Sequence, residues 1–152
     1  MRDTREKPKC GWLFESEEKK PSKHQLMETV IDTIDAGDYC IREHPNILRI
    51  ERKNGFGELF GNLSCKDNRE RFYREMERLR NIPMKYIIVE TNLSEDILGL
   101  AIPQIRFGMS CKRILDYLFD IEIEYGVHTI FAGDCGQKIA RMLFEKALTL
   151  HT

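Results

Sequence analysis

A chain of 152 residues holds about one domain's worth of protein, and at that size it buries roughly two-thirds of its unfolded surface. With 41% hydrophobic and 32% charged residues it has too much apolar material for wholesale disorder and too little for a membrane protein, and no apolar run reaches the length of a bilayer span. The 24 basic and 25 acidic side chains nearly cancel, a sum that neither supports nor excludes a polyanionic partner, because a local basic patch is enough to bind one.

The opening stretch, MRDTREKPK, is charged where a secretory signal needs an apolar core, so a cytoplasmic setting is the expectation. Trp12, Leu13 and Phe14 make an early apolar patch, suited to sealing a sheet or meeting another subunit. Residues 15–25, ESEEKKPSKHQ, read as an exposed loop inside one domain spanning 1–152. The β-branched run from Thr29 to Ile34 predicts a strand that meets a turn at Ala-Gly-Asp, and extended structure resumes at Tyr39 to Ile41. Ile47, Leu48 and Ile50 predict a further strand over residues 46–52, after which glycines at 55, 57 and 61 break the pattern. From Asp67 to Arg80, Phe72, Met76 and Leu79 recur at helical spacing, which makes them core and predicts a helix.

Tyr86 to Val89 is a short continuous apolar run, as expected of a strand covered on both faces. Ser110 to Tyr125 alternates in part like a strand, but its length and the positions of Ile114, Leu118, Ile121 and Tyr125 favour a helix. Val127 to Ala132 predicts another buried strand, with His128 a satisfied core residue, and a helix follows from Gly136 to Leu150. Strands and helices alternating in this way imply an α/β architecture, a central sheet flanked by helices.

The residues able to do chemistry gather at strand ends: Asp3, Arg5 and Glu6, then Asp38, then Glu51, Arg52 and Lys53. Carboxylates on adjacent strand ends can share a divalent cation, because Mg²⁺ takes hard oxygen ligands and keeps several waters. Asp38 and Glu51 are the pair chosen here. Lys53 lies two residues beyond Glu51, so on a strand the two project from one face, where an ammonium can stabilise charge developing on an attacked phosphate. Arg52 points the other way, towards binding phosphate or buttressing a carboxylate. Arg71, Arg74 and Arg78 form a stripe that can track a DNA backbone, although Glu70, Glu75 and Glu77 between them favour an ordinary solvated face.

The remaining signals are weaker. Five cysteines, Cys10, Cys40, Cys65, Cys111 and Cys135, are odd in number and without a CxxC, and read as free thiols. His24, His44, His128 and His151 show no ligand spacing, so no zinc site is proposed. GFGELFG, from Gly55 to Gly61, lacks the lysine and spacing of a nucleotide loop.

The ordered set RDTRE, GDY, ERK, ELFGNL, RFYREMERLR and YIIVE resembles the nuclease domain of the XPF/Hef family of structure-specific endonucleases, and VHTIFAGD with the closing helix fits its end. The resemblance implies a restriction-endonuclease-like fold, a mixed central sheet flanked by helices, and hydrolysis of DNA phosphodiesters with Mg²⁺ or Mn²⁺. It makes Asp38 and Glu51 metal ligands, Lys53 the catalytic lysine and Arg52 the arginine of the ERK motif. Asp3 and Arg5 match an early acidic and basic pair at the rim of the same site, Asp3 as a further metal ligand and Arg5 towards DNA. In the family an aspartate follows ERK after three residues; here position 57 is glycine, and Glu58 is the candidate to replace it as a ligand. Glu90 also matches a family carboxylate. The resemblance further implies a homodimer, with branched or flap-like DNA as substrate and bacterial or phage-encoded proteins as the nearest analogues. The alternatives are a catalytically inactive scaffold of the same architecture, for DNA binding or dimerisation, and an α/β protein with an unrelated small-molecule pocket.

Overall fold

Six strands, β1 (Arg2–Asp3), β2 (Ile31–Asp32), β3 (Tyr39–Cys40), β4 (Leu48–Lys53), β5 (Met84–Val89) and β6 (His128–Phe131), lie side by side in the order β2-β1-β3-β4-β5-β6. The structure, a computed structural model, describes residues 1–6, 11–14, 29–94 and 110–151. The sheet is mixed: β3 pairs antiparallel with β1 and β4, whereas β4, β5 and β6 run parallel. Four α-helices complete the described residues: α1 (Phe56–Leu63), α2 (Lys66–Arg78), α3 (Cys111–Tyr125) and α4 (Gly136–His151). The α/β expectation holds, and none of these helices is long and apolar enough to cross a membrane.

The parallel half of the sheet needs crossovers, and the helices supply them on one face. Ile87 and Val89 of β5 meet Leu59 and Leu63 of α1, Phe72 and Met76 of α2, and Ile114 and Leu118 of α3 in one apolar cluster. On the other face Leu48 and Ile50 of β4 and Ile88 of β5 meet Ala140, Phe144 and Ala147 of α4. Trp12 and Phe14 seal that second face, ring against ring with Tyr39, while Leu13 stays exposed. Adjacent residues of β4 and β5 therefore serve opposite cores, as period-two alternation requires.

Several expectations need correction. The strand foreseen over Thr29 to Ile34 shrinks to Ile31–Asp32, both exposed, since among the described residues it is the outermost strand and pairs with β1 alone. The glycines at 57 and 61 do not break the chain; they lie inside α1, whose Leu59, Phe60 and Leu63 are buried. His128 is not a core residue: among the described residues β6 is the opposite edge of the sheet, and the His128 imidazole is exposed against Glu122 at 3.0 Å. The loop read at 15–25 lies outside the described residues. The closing features of α3 agree with its sequence, Ser110 capping its first turn by accepting from the Arg113 amide and Gly126 (φ 67°) ending it.

Candidate functional site

β4 is physically unusual, since all six residues are buried and four of them are Arg49, Glu51, Arg52 and Lys53. Charged groups are almost never fully buried unless paired, and pairing is what this strand achieves. On one face Lys53 Nζ donates to Glu51 Oε1 at 2.7 Å and lies 5.0 Å above the Phe72 ring. Burial works against the Lys53 charge, but the Glu51 carboxylate, joined by Asp38 and Glu58, outweighs it and holds the ammonium above its ordinary range. On the other face the Arg52 guanidinium donates to Glu6 at 3.0 Å, to Asn54 and to Glu90, and lies over the Trp12 ring. Arg52 is thus engaged as a structural tie, and with Glu6 and Asn54 it also lines the cleft formed by Asp38 and Glu51.

Asp38 reaches Glu51 because Gly37, at φ 79°, turns the chain into β3 where a Cβ would press on the Ile50 carbonyl. The Asp38 amide donates to Ile50 O at 2.8 Å, and its Oδ2 accepts from the Arg52 amide at 2.7 Å. Burial first, and the Glu51 charge second, push its carboxyl up to about 8. Two acidic groups crowded beside one another in this way repel until a proton or a cation enters. Among the described residues, Asp38 Oδ1 and Glu51 Oε2 accept no hydrogen bond, and both residues line one open cleft of about 110 Å³.

Glu58 lines the same cleft. It stands in the first turn of α1, its Oε2 accepting from the Asn54 amide at 2.9 Å and its Oε1 3.9 Å from Lys53 Nζ. Reaching back to the chain ahead of the helix, it acts much as the acidic partner of a capping box does. Arg5 lines the cleft as well. Its guanidinium is oriented by Asp3, with Nε on Oδ1 at 2.7 Å and Nη2 on Oδ2 at 3.1 Å, and by the Ile34 carbonyl.

Asp3 itself is not brought to the pair. It is wholly buried, and its two oxygens accept from Arg5 and from the Ile34 amide, which leaves it a support for Arg5 and not a lining residue. Burial raises the Asp3 carboxyl, but the hydrogen bonds from Arg5 overcome that and hold it below its usual range. Arg71, Arg74 and Arg78 are exposed on α2, and Arg78 lines a cavity beside Asp38 and Glu51 that neither Arg71 nor Arg74 lines. Glu90 accepts from Trp12 Nε1 at 2.8 Å and from Arg52, a tie between sheet and amino-terminal segment.

No protein-family model, curated protein or solved structure matches the chain. The site is therefore read from its own chemistry. Among the described residues no group of three His, Cys, Asp or Glu side chains is gathered to hold a metal ion. The donor set of Asp38 and Glu51 nevertheless fits Mg²⁺ or Mn²⁺, because Mg²⁺ is commonly held by one or two carboxylates with water and substrate oxygens completing the shell.

Glu75 is the residue that periodicity set aside. Although interleaved among arginines, it is half-buried, and burial followed by the Glu51 charge raises its carboxyl. A signal was present: Glu75 sits next to Met76 and three residues from Phe72, so it borders the buried stripe. Cys40 is buried with its thiol pushed up by burial, and the exposed His44 gives it no nucleophilic role.

Proposed function

We propose that this chain is a divalent-metal-dependent DNA endonuclease of restriction-endonuclease-like architecture, as its resemblance to the XPF/Hef nuclease domain implies. One observation carries the reading: two carboxylates with unengaged oxygens, Asp38 and Glu51, line one cleft while Lys53 holds its ammonium on Glu51. Desolvating such a set is costly, and an apolar strand would fold as well without it. Asp38 and Glu51 would hold Mg²⁺ or Mn²⁺, with Glu58 the next carboxylate in reach. The cation supplies Lewis-acid polarisation of the phosphodiester. Lys53, kept cationic by Glu51, offsets negative charge developing on the phosphoryl oxygens. Arg5, oriented by Asp3, presents a planar donor to a phosphate at the rim. Arg52 carries no phosphate in this scheme; its backbone amide orients Asp38 while its side chain anchors the strand end. Branched or flap-like DNA as substrate, and a homodimer, belong to the same reading through the resemblance; α3 leaves Phe119 and Ile123 exposed one turn apart.

The test is cleavage of labelled flap, fork, nicked and single-stranded DNA with Mg²⁺ or Mn²⁺. The wild-type protein should cut at least one of these, and Glu51→Gln, its fold checked by circular dichroism because the buried Lys53 loses its carboxylate partner, should lose about 100-fold in rate or more by removal of a ligand. Unimpaired cutting by Glu51→Gln defeats the mechanism. A second reading, a scaffold that binds DNA without cutting it, is favoured by glycine at position 57 and by Glu58 spending an oxygen on the Asn54 amide. Binding without cutting in either metal supports it.

A further inference from the structure

The cleft over Asp38 and Glu51 has a neighbour. A second cavity of about 180 Å³ shares Arg5, Asp38 and Glu51 with the first but extends towards the β2–β3 turn and α2, where it is lined by Asp35, Ala36, Gly37, Glu75 and Arg78. The two carboxylates stand where the cavities meet. Ala36 and Gly37 bring the buried turn between β2 and β3 to the cavity wall, and Gly37 is fixed in that turn by its positive φ. Arg78 has no ion-pair or hydrogen-bond partner among the described residues, although it is the last residue of a helix rich in glutamates. An arginine without a carboxylate partner at the mouth of a cavity is a donor set for an oxyanion that arrives with a ligand.

The acidic residues around this cavity do not cancel that donor. Asp35 is held by Arg49 at 2.9 Å. Glu75 feels the Glu51 charge first and then those of Lys53, Arg71 and Arg5, and the cation would offset the Glu51 charge. Asp38 and Glu51 are the proposed cation ligands. With the cation bound, the guanidinium at this cavity that carries no carboxylate among the described residues is that of Arg78, Arg5 being shared with Asp3.

We propose that the second cavity is a subsite for the phosphate adjoining the scissile one, held by Arg78 with Arg5 between the two positions. The substrate is then a polynucleotide strand passing across both cavities, and a terminal phosphomonoester or a cyclic nucleotide fills only one of them. The inference rests on Asp38 and Glu51 as the reacting centre. It also separates Arg78 from Arg71 and Arg74, which lie on the same helix but outside the cavity.

The test is fluorescence anisotropy with a labelled DNA duplex, Ca²⁺ replacing Mg²⁺, using a set of duplexes that each carry one uncharged methylphosphonate linkage. Arg78→Ala should weaken binding about tenfold and lower the slope of log affinity against log salt by about one, as loss of a single phosphate contact does. One linkage should weaken the wild-type protein by the same factor and leave Arg78→Ala unaffected, while Arg74→Ala stays sensitive to it. Equal sensitivity of wild type and Arg78→Ala at every linkage overturns the subsite. Cleavage in Mn²⁺ is measured alongside: the linkage coupling without cutting overturns the nuclease reading alone, cutting without the coupling overturns the subsite alone, and absence of binding by the wild-type protein overturns both.

Discussion

Asp38 translates the geometry of the cleft into a dependence on pH. Its carboxyl titrates at about 8 in the folded metal-free protein and near 3.8 when unperturbed, so between those values the folded state binds the extra proton. The stability tied to that proton is complete below about pH 4 and is lost as pH rises through 8. Denaturant unfolding without metal should therefore show falling stability from pH 5.5 to 8. Asp38→Asn should flatten the fall, and saturating Mg²⁺ should flatten it too by taking the proton's place. Metal binding near pH 7 should release protons, seen as a dependence of calorimetric heat on the buffer's ionisation enthalpy. A slope unchanged in Asp38→Asn would place the titration elsewhere, with Glu75, raised by burial and by Glu51, the next group to examine.

At the scale of elements, α1 shows what the sequence hid and why. Its register of Leu59, Phe60 and Leu63 is helical, but Gly57 and Gly61 each cost a helix interior about 1 kcal/mol relative to alanine, so local preference points away from the helix that tertiary burial enforces. Both glycines are exposed, and a Cβ at either meets nothing within 4 Å. Gly57→Ala and Gly61→Ala should therefore each stabilise the protein by about 0.5–1 kcal/mol, raising the melting temperature by a few degrees. Gly55, with φ 121° at the helix start, should instead lose stability on the same replacement. By contrast, the projection of Glu51 and Lys53 from one face and Arg52 from the other was legible in advance, because period-two alternation belongs to the backbone whatever the side chains are. The fate of Asp3 was not, since only the fold brings the Ile34 amide and Arg5 onto its oxygens. Nor was the environment of Arg52, whose partners Glu6, Trp12 and Glu90 come from segments far apart in the chain.

For the whole molecule, the two faces of the sheet divide the work. The α4 face closes over apolar side chains and the Arg52 ties, while the face under α1 and α2 buries Glu51 and Lys53 beside Phe72 and opens at the cleft. A buried ion pair gains little over well-packed apolar residues, because desolvation offsets its Coulomb attraction. Single replacements are a poor probe of that balance: removing Lys53 alone leaves Glu51 buried without its partner, which costs about 3–5 kcal/mol. Replacing both at once, Glu51→Leu with Lys53→Met, removes the two desolvation terms together, and it also removes the charge that crowds Asp38. The double variant should be as stable to denaturant as the wild-type protein or more so, by up to about 4 kcal/mol of unfolding free energy, and should lose cutting and metal binding altogether. Chemical denaturation and a Mn²⁺ titration on the same preparation measure both outcomes. A double variant that is clearly less stable would mean that the pair holds the sheet together, and that its burial answers to folding and not to chemistry.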